Sequence, residues 1–148
     1  MNIQVSDGEA LDRLSILAIK KAHITDPKKL ANVEAEFSLL TWLCEPLLRS
    51  DEVKVRVLTL AKVNRELWDV EDKLRALEAE QRFDEYFIEL ARSVYKLNDE
   101  RAAIKREINA LTNSAIVEEK QYTAYGQATM FGKLDVHGSV KTTKPEEK

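Results

Sequence analysis

The chain has 148 residues, 44% hydrophobic and 33% charged, with a formal net charge of −3. That length supports one hydrophobic core, and four Gly and three Pro are too few for a turn-rich β architecture. A single cysteine excludes an intrachain disulfide and zinc sites built on cysteine pairs, and basic residues interleaved with acids leave no nucleic-acid footprint.

The opening MNIQVSDGEA lacks the basic and apolar regions of a secretory signal. The most apolar stretch, LLTWLCEPLL, falls far short of the roughly 20 residues that span a bilayer. A cytoplasmic protein without a membrane segment is expected.

Ser6 and Glu9 form an S-x-x-E capping box, in which the hydroxyl satisfies one free amide and the carboxylate reaches back to another. Leu11, Leu14, Leu17, Ala18 and Ala22 follow at helical spacing and predict a first helix over about 7–23. Asp26 before Pro27 marks the next start, with Asp as N-cap and Pro at the first helical position. Leu30, Val33, Phe37, Leu40, Cys44 and Leu47 carry that second helix to about residue 48, bent or ended by Pro46.

Ser50, Asp51 and Glu52 open a third helix, with acids at its positive dipole end. Its seam reads Val53, Arg56, Leu60, Val63, Leu67, Val70, Leu74 and Leu77. After a break at 81–84, a fourth helix reads Phe87, Leu90, Val94, Leu97, Arg101, Ile104, Ile108 and Leu111 with the same 3-4 repeat. Folding the chain back at the break sets Leu77 opposite Phe87, Leu67 opposite Leu97, Val63 opposite Arg101 and Val53 opposite Leu111. Every seam residue then meets a seam residue, so 51–80 and 84–112 are expected to form a long antiparallel coiled-coil hairpin, each arm roughly 45 Å long. The predicted fold class is all-α, a helical bundle completed by the two shorter N-terminal helices. The domain is expected to span 1–122, leaving 123–148 as an irregular or partly disordered tail, with a short hairpin over 130–140 as the lesser alternative.

Arg56 and Arg101 interrupt the apolar seam. The hairpin register gathers Asn64, Glu71, Asn98, Arg101 and Lys105 towards one middle stretch, and an arginine removed from water needs a carboxylate, which Glu71 or Asp72 is placed to supply. One reading is an anion or small-molecule pocket; the other is a buried polar network that fixes register. Under the second, replacing Arg101 by Leu should be tolerated. Neither histidine, His23 or His137, has a Glu-x-x-His spacing, and no metal site or cofactor is expected. Glu66 and Asp69 make an E-x-x-D pair like that of all-α pyrophosphohydrolases, but the matching E-x-x-E is missing from the second helix. LNDERAAIKREIN resembles, in a generic way, the Arg- and Lys-bearing helices of chorismate mutases.

Several segments together resemble a family of small helical proteins from bacteria and phages whose function is unknown. They are SDGEALDRLSILAIKKAHI, KLANVEAE, LWDVEDKLR, FIELARSVYKLNDERAAIKREIN and NSAIVEEKQY, spanning about 5–122, with the tail after Tyr125 outside. The resemblance implies surface-polysaccharide gene contexts and brings no catalytic residues. The sequence therefore points first to a non-enzymatic interaction module, a homodimer or larger assembly, open to a protein partner, with neither nucleic acid nor membrane as a partner. The alternative is a small enzyme or binding protein for an anionic metabolite, nucleotide or nucleotide sugar.

Overall fold

The structure, a computed structural model, describes residues 3–125. The expected irregular tail, including the 130–140 alternative, falls mostly outside these residues. Four α-helices stand among the described residues, with no strand: α1 (Asp7–His23), α2 (Pro27–Cys44), α3 (Asp51–Ala79) and α4 (Glu85–Thr112). The bundle ends at Glu118; of the separate unit that follows, residues 119–125 are described and have no regular secondary structure.

Each helix begins at a side-chain cap written in the sequence. Ser6, Asp26, Ser50 and Asp84 accept the amides of Glu9, Lys29, Val53 and Phe87, three residues on in every case. The second helix stops at Cys44, short of the expected residue 48. Pro46 has no amide to continue the ladder, and the chain tightens into a 3₁₀ turn at Leu47–Arg49. At the hairpin, Gln81 takes a left-handed φ of 53°, and the Arg82 amide returns to the Leu77 carbonyl.

Helices α3 and α4 form the antiparallel hairpin, and Arg56 pairs with Glu107 across it in the expected register. The core lies in the half of the hairpin away from its turn, around Leu11, Leu14, Cys44, Val53, Leu60, Val63, Ile104 and Ile108. One seam residue departs from expectation. Leu111 is 43% exposed, because cover over Val53 comes from the cluster that includes α1 and Cys44. Burial holds the Cys44 thiol pKa above its ordinary value, with the Asp7 charge adding to the effect.

Helix α1 is the middle layer, packed on α3 and α4 on one side and on α2 on the other. Gly8 lies against Lys105 and Asn109, Asp12 against Arg101, and the His23 ring 5.2 Å from that of Trp68. It therefore runs antiparallel to α4 and parallel to α3. On its outer side Arg13 pairs with Glu36, and the Lys21 ammonium sits 4.4 Å from the Phe37 ring centre.

The close approach at Gly8 admits no side chain: a Cβ there would lie 2.6 Å from the Lys105 carbonyl oxygen and 2.9 Å from Asn109 Oδ1. Gly8→Ala gains at most about 1 kcal/mol of helix propensity, whereas forcing α1 off a fixed backbone carbonyl costs about 1–3 kcal/mol. The variant is expected to be destabilised, read as a lower urea midpoint with an unchanged slope.

Candidate functional site

The polar residues that face one another across α1 and α4 are arranged as rungs. Arg101, Lys105 and Asn109 recur every four residues on α4 and so share a face. Gly8, Glu9 and Asp12 present the matching face of α1, where Gly8, Asp12, Ser15 and Ile19 form a buried stripe among leucines.

The first rung is built on Asp12, whose side chain is 1% exposed. Arg101 donates to it through Nε, at 3.0 Å to Oδ1 and 3.1 Å to Oδ2, and through Nη2 to Oδ2. Asn64 of α3 donates its Nδ2 to Asp12 Oδ1 at 2.8 Å and to Ser15 Oγ at 2.7 Å, and the Ser15 hydroxyl donates to the Asp12 carbonyl. One carboxylate thus ties three helices together through a bidentate, charge-assisted pair and an amide. Donation to Asp12 raises the Arg101 pKa above its already high value, against burial, which works the other way.

One turn on, Lys105 donates to Glu9 and, at 3.0 Å, to Glu118 Oε2, while Ser6 Oγ donates to Glu118 Oε1 at 3.3 Å. Burial works to lower the Lys105 pKa, but its hydrogen bonds to both carboxylates outweigh it and hold the ammonium above its ordinary value. Burial likewise pushes Glu118 up, and the hydrogen bond and charge of Lys105 prevail and hold it below the usual carboxylate range. Glu9 therefore serves Lys105; of the capping box, only the Ser6 half forms as expected.

The third rung is Asn109, whose Oδ1 accepts the Gly8 amide at 2.7 Å, while Ser114 Oγ accepts the Asp7 amide at 3.1 Å. The first three amides of α1, which a helix leaves without internal partners, are met by Ser114, Asn109 and Ser6. Two of these come from the far end of α4 and the residues after it, about a hundred positions along the chain.

The five residues anticipated from sequence thus divide. Asn64, Asn98 and Arg101 do assemble, the last two by a 3.4 Å contact between Arg101 Nη1 and Asn98 Oδ1. Lys105 belongs to the neighbouring cluster with Glu9 and Glu118. Glu71 does not reach Arg101: it pairs with Arg75 one turn along α3, at 3.3 Å, on the exposed surface. The carboxylate for Arg101 is Asp12, supplied neither by Glu71 nor by Asp72, because α1 lies in the groove of the hairpin and brings its buried stripe to that point. Asp12 and Asn109 were not singled out in the sequence. Their one local signal is a short polar interruption, Asp12 and Ser15, in the apolar face of α1.

Beside the first rung a cleft of about 490 Å³ opens between α1, α3 and α4. Ile16, Ile19 and Leu67 give it an apolar wall, Trp68 and Asn98 stand within it, and Glu71, Asp72 and Arg75 line it as well. Among the described residues no group of three or more His, Cys, Asp and Glu side chains is placed to hold a metal ion, and no helix is long and apolar enough to cross a membrane.

The model of a family of unknown function, DUF6165, matches residues 1–140. The chain belongs to that family. The DUF6165 match passes Tyr125, so the family pattern includes part of the segment expected to lie beyond it. No curated protein and no solved structure matches the chain.

Because Arg101 faces a buried carboxylate, Arg101→Leu is expected to destabilise by about 3 kcal/mol, leaving Asp12 charged and unpaired. This reverses the tolerance expected when Arg101 was viewed without Asp12. The double variant with Asp12→Leu should recover most of the loss in denaturant titrations.

The Lys105–Glu118 pair predicts a pH dependence with a definite sign. Glu118 has a lowered folded pKa, so its stabilisation is present above the unfolded carboxylate value and is lost as pH falls through the folded one. Lys105, with a raised folded pKa, keeps its contribution until pH rises through that raised value. The stability difference between wild type and Glu118→Gln should be constant near neutrality and shrink below about pH 4, as followed by urea titrations at stepped pH.

Proposed function

We propose that this chain is a non-enzymatic helical interaction module that pairs with a second copy of itself through the outer face of α2. The geometry around Arg101 favours this reading over a catalytic one: the charged groups of the network are spent on one another and hold α1 to the hairpin. A cytoplasmic setting agrees with the free, buried thiol of Cys44. A coiled-coil style of packing within the hairpin agrees with its 3-4 repeat. The bacterial and phage surface-polysaccharide contexts implied by the resemblance are compatible with such a module.

The observation that carries the proposal is the exposed surface of α2. Trp42 is 72% exposed, Leu39 59% and Leu43 53%. With Ala31, Asn32, Ala35 and Ser38, all exposed, they cover an arc of roughly 140° at 100° per residue that bears no charge over residues 31–43, Lys28 standing on the same face one turn earlier. In a chain one-third charged, an uncharged helix face over more than three turns marks a contact surface.

The face is also self-complementary. Its N-terminal half carries the small side chains Ala31, Asn32 and Ala35, and its C-terminal half the large ones, Leu39, Trp42 and Leu43. A two-fold axis near Phe37 that pairs α2 antiparallel with its copy lays the large half of each over the small half of the other, as an isologous interface requires. Trp42 is then the anchor, the residue type that most often dominates such contacts.

Sedimentation equilibrium at tens of micromolar should give twice the chain mass for the wild type. Trp42→Glu should give the monomer mass with unchanged helicity, because that side chain already faces solvent, and a urea midpoint below the wild type's only at concentrations where the wild type is paired. A wild-type monomer at this concentration overturns the proposal.

A further inference from the structure

The cleft beside the Asp12–Arg101 pair has a role that holding the bundle together does not require. We propose that it binds a small organic carboxylate with an apolar body. This inference stands apart from the dimer, since the outer face of α2 contributes nothing to the cleft.

Two features specify the ligand. The first is the unused hydrogen-bonding capacity. Trp68 Nε1 is buried and has no acceptor, and an indole N–H only donates. Arg101 Nη1 makes only the long 3.4 Å contact with Asn98 Oδ1, while Nε and Nη2 are taken by Asp12. The guanidinium side chain is 28% exposed and borders the same cleft. The acids at the cleft are engaged or solvated: Glu71 is bound to Arg75, and Asp72 is exposed. What the cleft lacks is therefore an acceptor, and a carboxylate oxygen is the acceptor that also suits a cation.

The second feature is the wall of Ile16, Ile19 and Leu67, which a fully hydrated inorganic anion does not use. A volume of about 490 Å³ lies within the range of roughly 300–1,000 Å³ typical of sites for small organic molecules. The indole is held in place by a ring contact. The His23 ring packs on it at 5.2 Å and is itself fixed by Nδ1 at 2.8 Å from the Ile19 carbonyl and Nε2 at 3.0 Å from Arg65 Nη1. Those two partners assign the neutral tautomer, with Nδ1 donating and Nε2 accepting. The donor is thus preorganised on packed helices.

The test uses the full chain, labelled with nitrogen-15, titrated with octanoate and, in parallel, with acetate. The Trp68 indole signal, identified by its loss in Trp68→Phe, should move downfield and saturate with octanoate, while the Trp42 signal stays in place. Acetate at the same concentrations should leave both unmoved. Trp68→Phe keeps the apolar ring and removes the donor, so calorimetry should find octanoate bound about tenfold more weakly. A Trp68 signal that stays in place at millimolar octanoate overturns the proposal. So does an equal response to acetate, or an unchanged affinity in the phenylalanine variant.

Discussion

The structure depends on the burial of one carboxylate. Asp12 lies almost wholly out of water at the junction of α1, α3 and α4. A charge in that position is tolerable only with a full set of donors. Arg101 supplies a bidentate guanidinium from α4, and Asn64 supplies an amide from α3. Each donor fixes the rotation and axial position of α1 against a different helix, so the network specifies a single placement in a groove that leucines alone would let slide.

From that placement the remaining features of the bundle follow in order. Fixing Asp12 against Arg101 brings Glu9 to Lys105 and the Gly8 amide to Asn109, one rung at a time along the same two faces. The Gly8 contact lets α1 approach the α4 backbone closely enough for Asn109 and Ser114 to serve as caps of a helix about a hundred residues earlier in the chain. The segment after α4 is held in turn, because Glu118 closes the triangle with Lys105 and Ser6. With α1 sandwiched in this way, α2 becomes the outermost layer. Its inner side covers α1, and its other side carries Leu39, Trp42 and Leu43 into solvent.

The network also separates the groups it pairs from those it leaves without internal partners. Of the ionised groups that resembled a binding cluster, Arg101 and Lys105 are neutralised inside the bundle by Asp12, Glu9 and Glu118, and Glu71 is paired with Arg75 at the surface. The features left without internal partners are of a different kind: an uncharged helix face, and a cleft with an unanswered indole donor. Both sit next to the rigid network: the helix face takes nothing from it, and the cleft borders the one guanidinium nitrogen of Arg101 that Asp12 does not engage.

The local part of the fold was legible in the sequence because its causes are local. The caps at Ser6, Asp26 and Ser50, the 3-4 seams, and the break at 81–84 act within a few residues, and they locate the helices and the hairpin to within a residue or two, apart from the early stop before Pro46. The partner of Arg101 was not legible. Hairpin register is set by a short connection and a repeat that can be folded back on itself, whereas the docking of α1 is a contact between residues 89 apart in the chain. Charge alone does not choose among the many carboxylates within reach. Glu71 and Asp72 are closer to Arg101 in sequence than Asp12, yet they remain at the surface because α1 occupies the groove that would have buried them. The sequence by itself determined which segments are helical and how α3 pairs with α4. Only the tertiary structure decided which acid is buried, which basic residues it claims, and which apolar side chains remain outside, since burial belongs to the packed layers and not to any one segment.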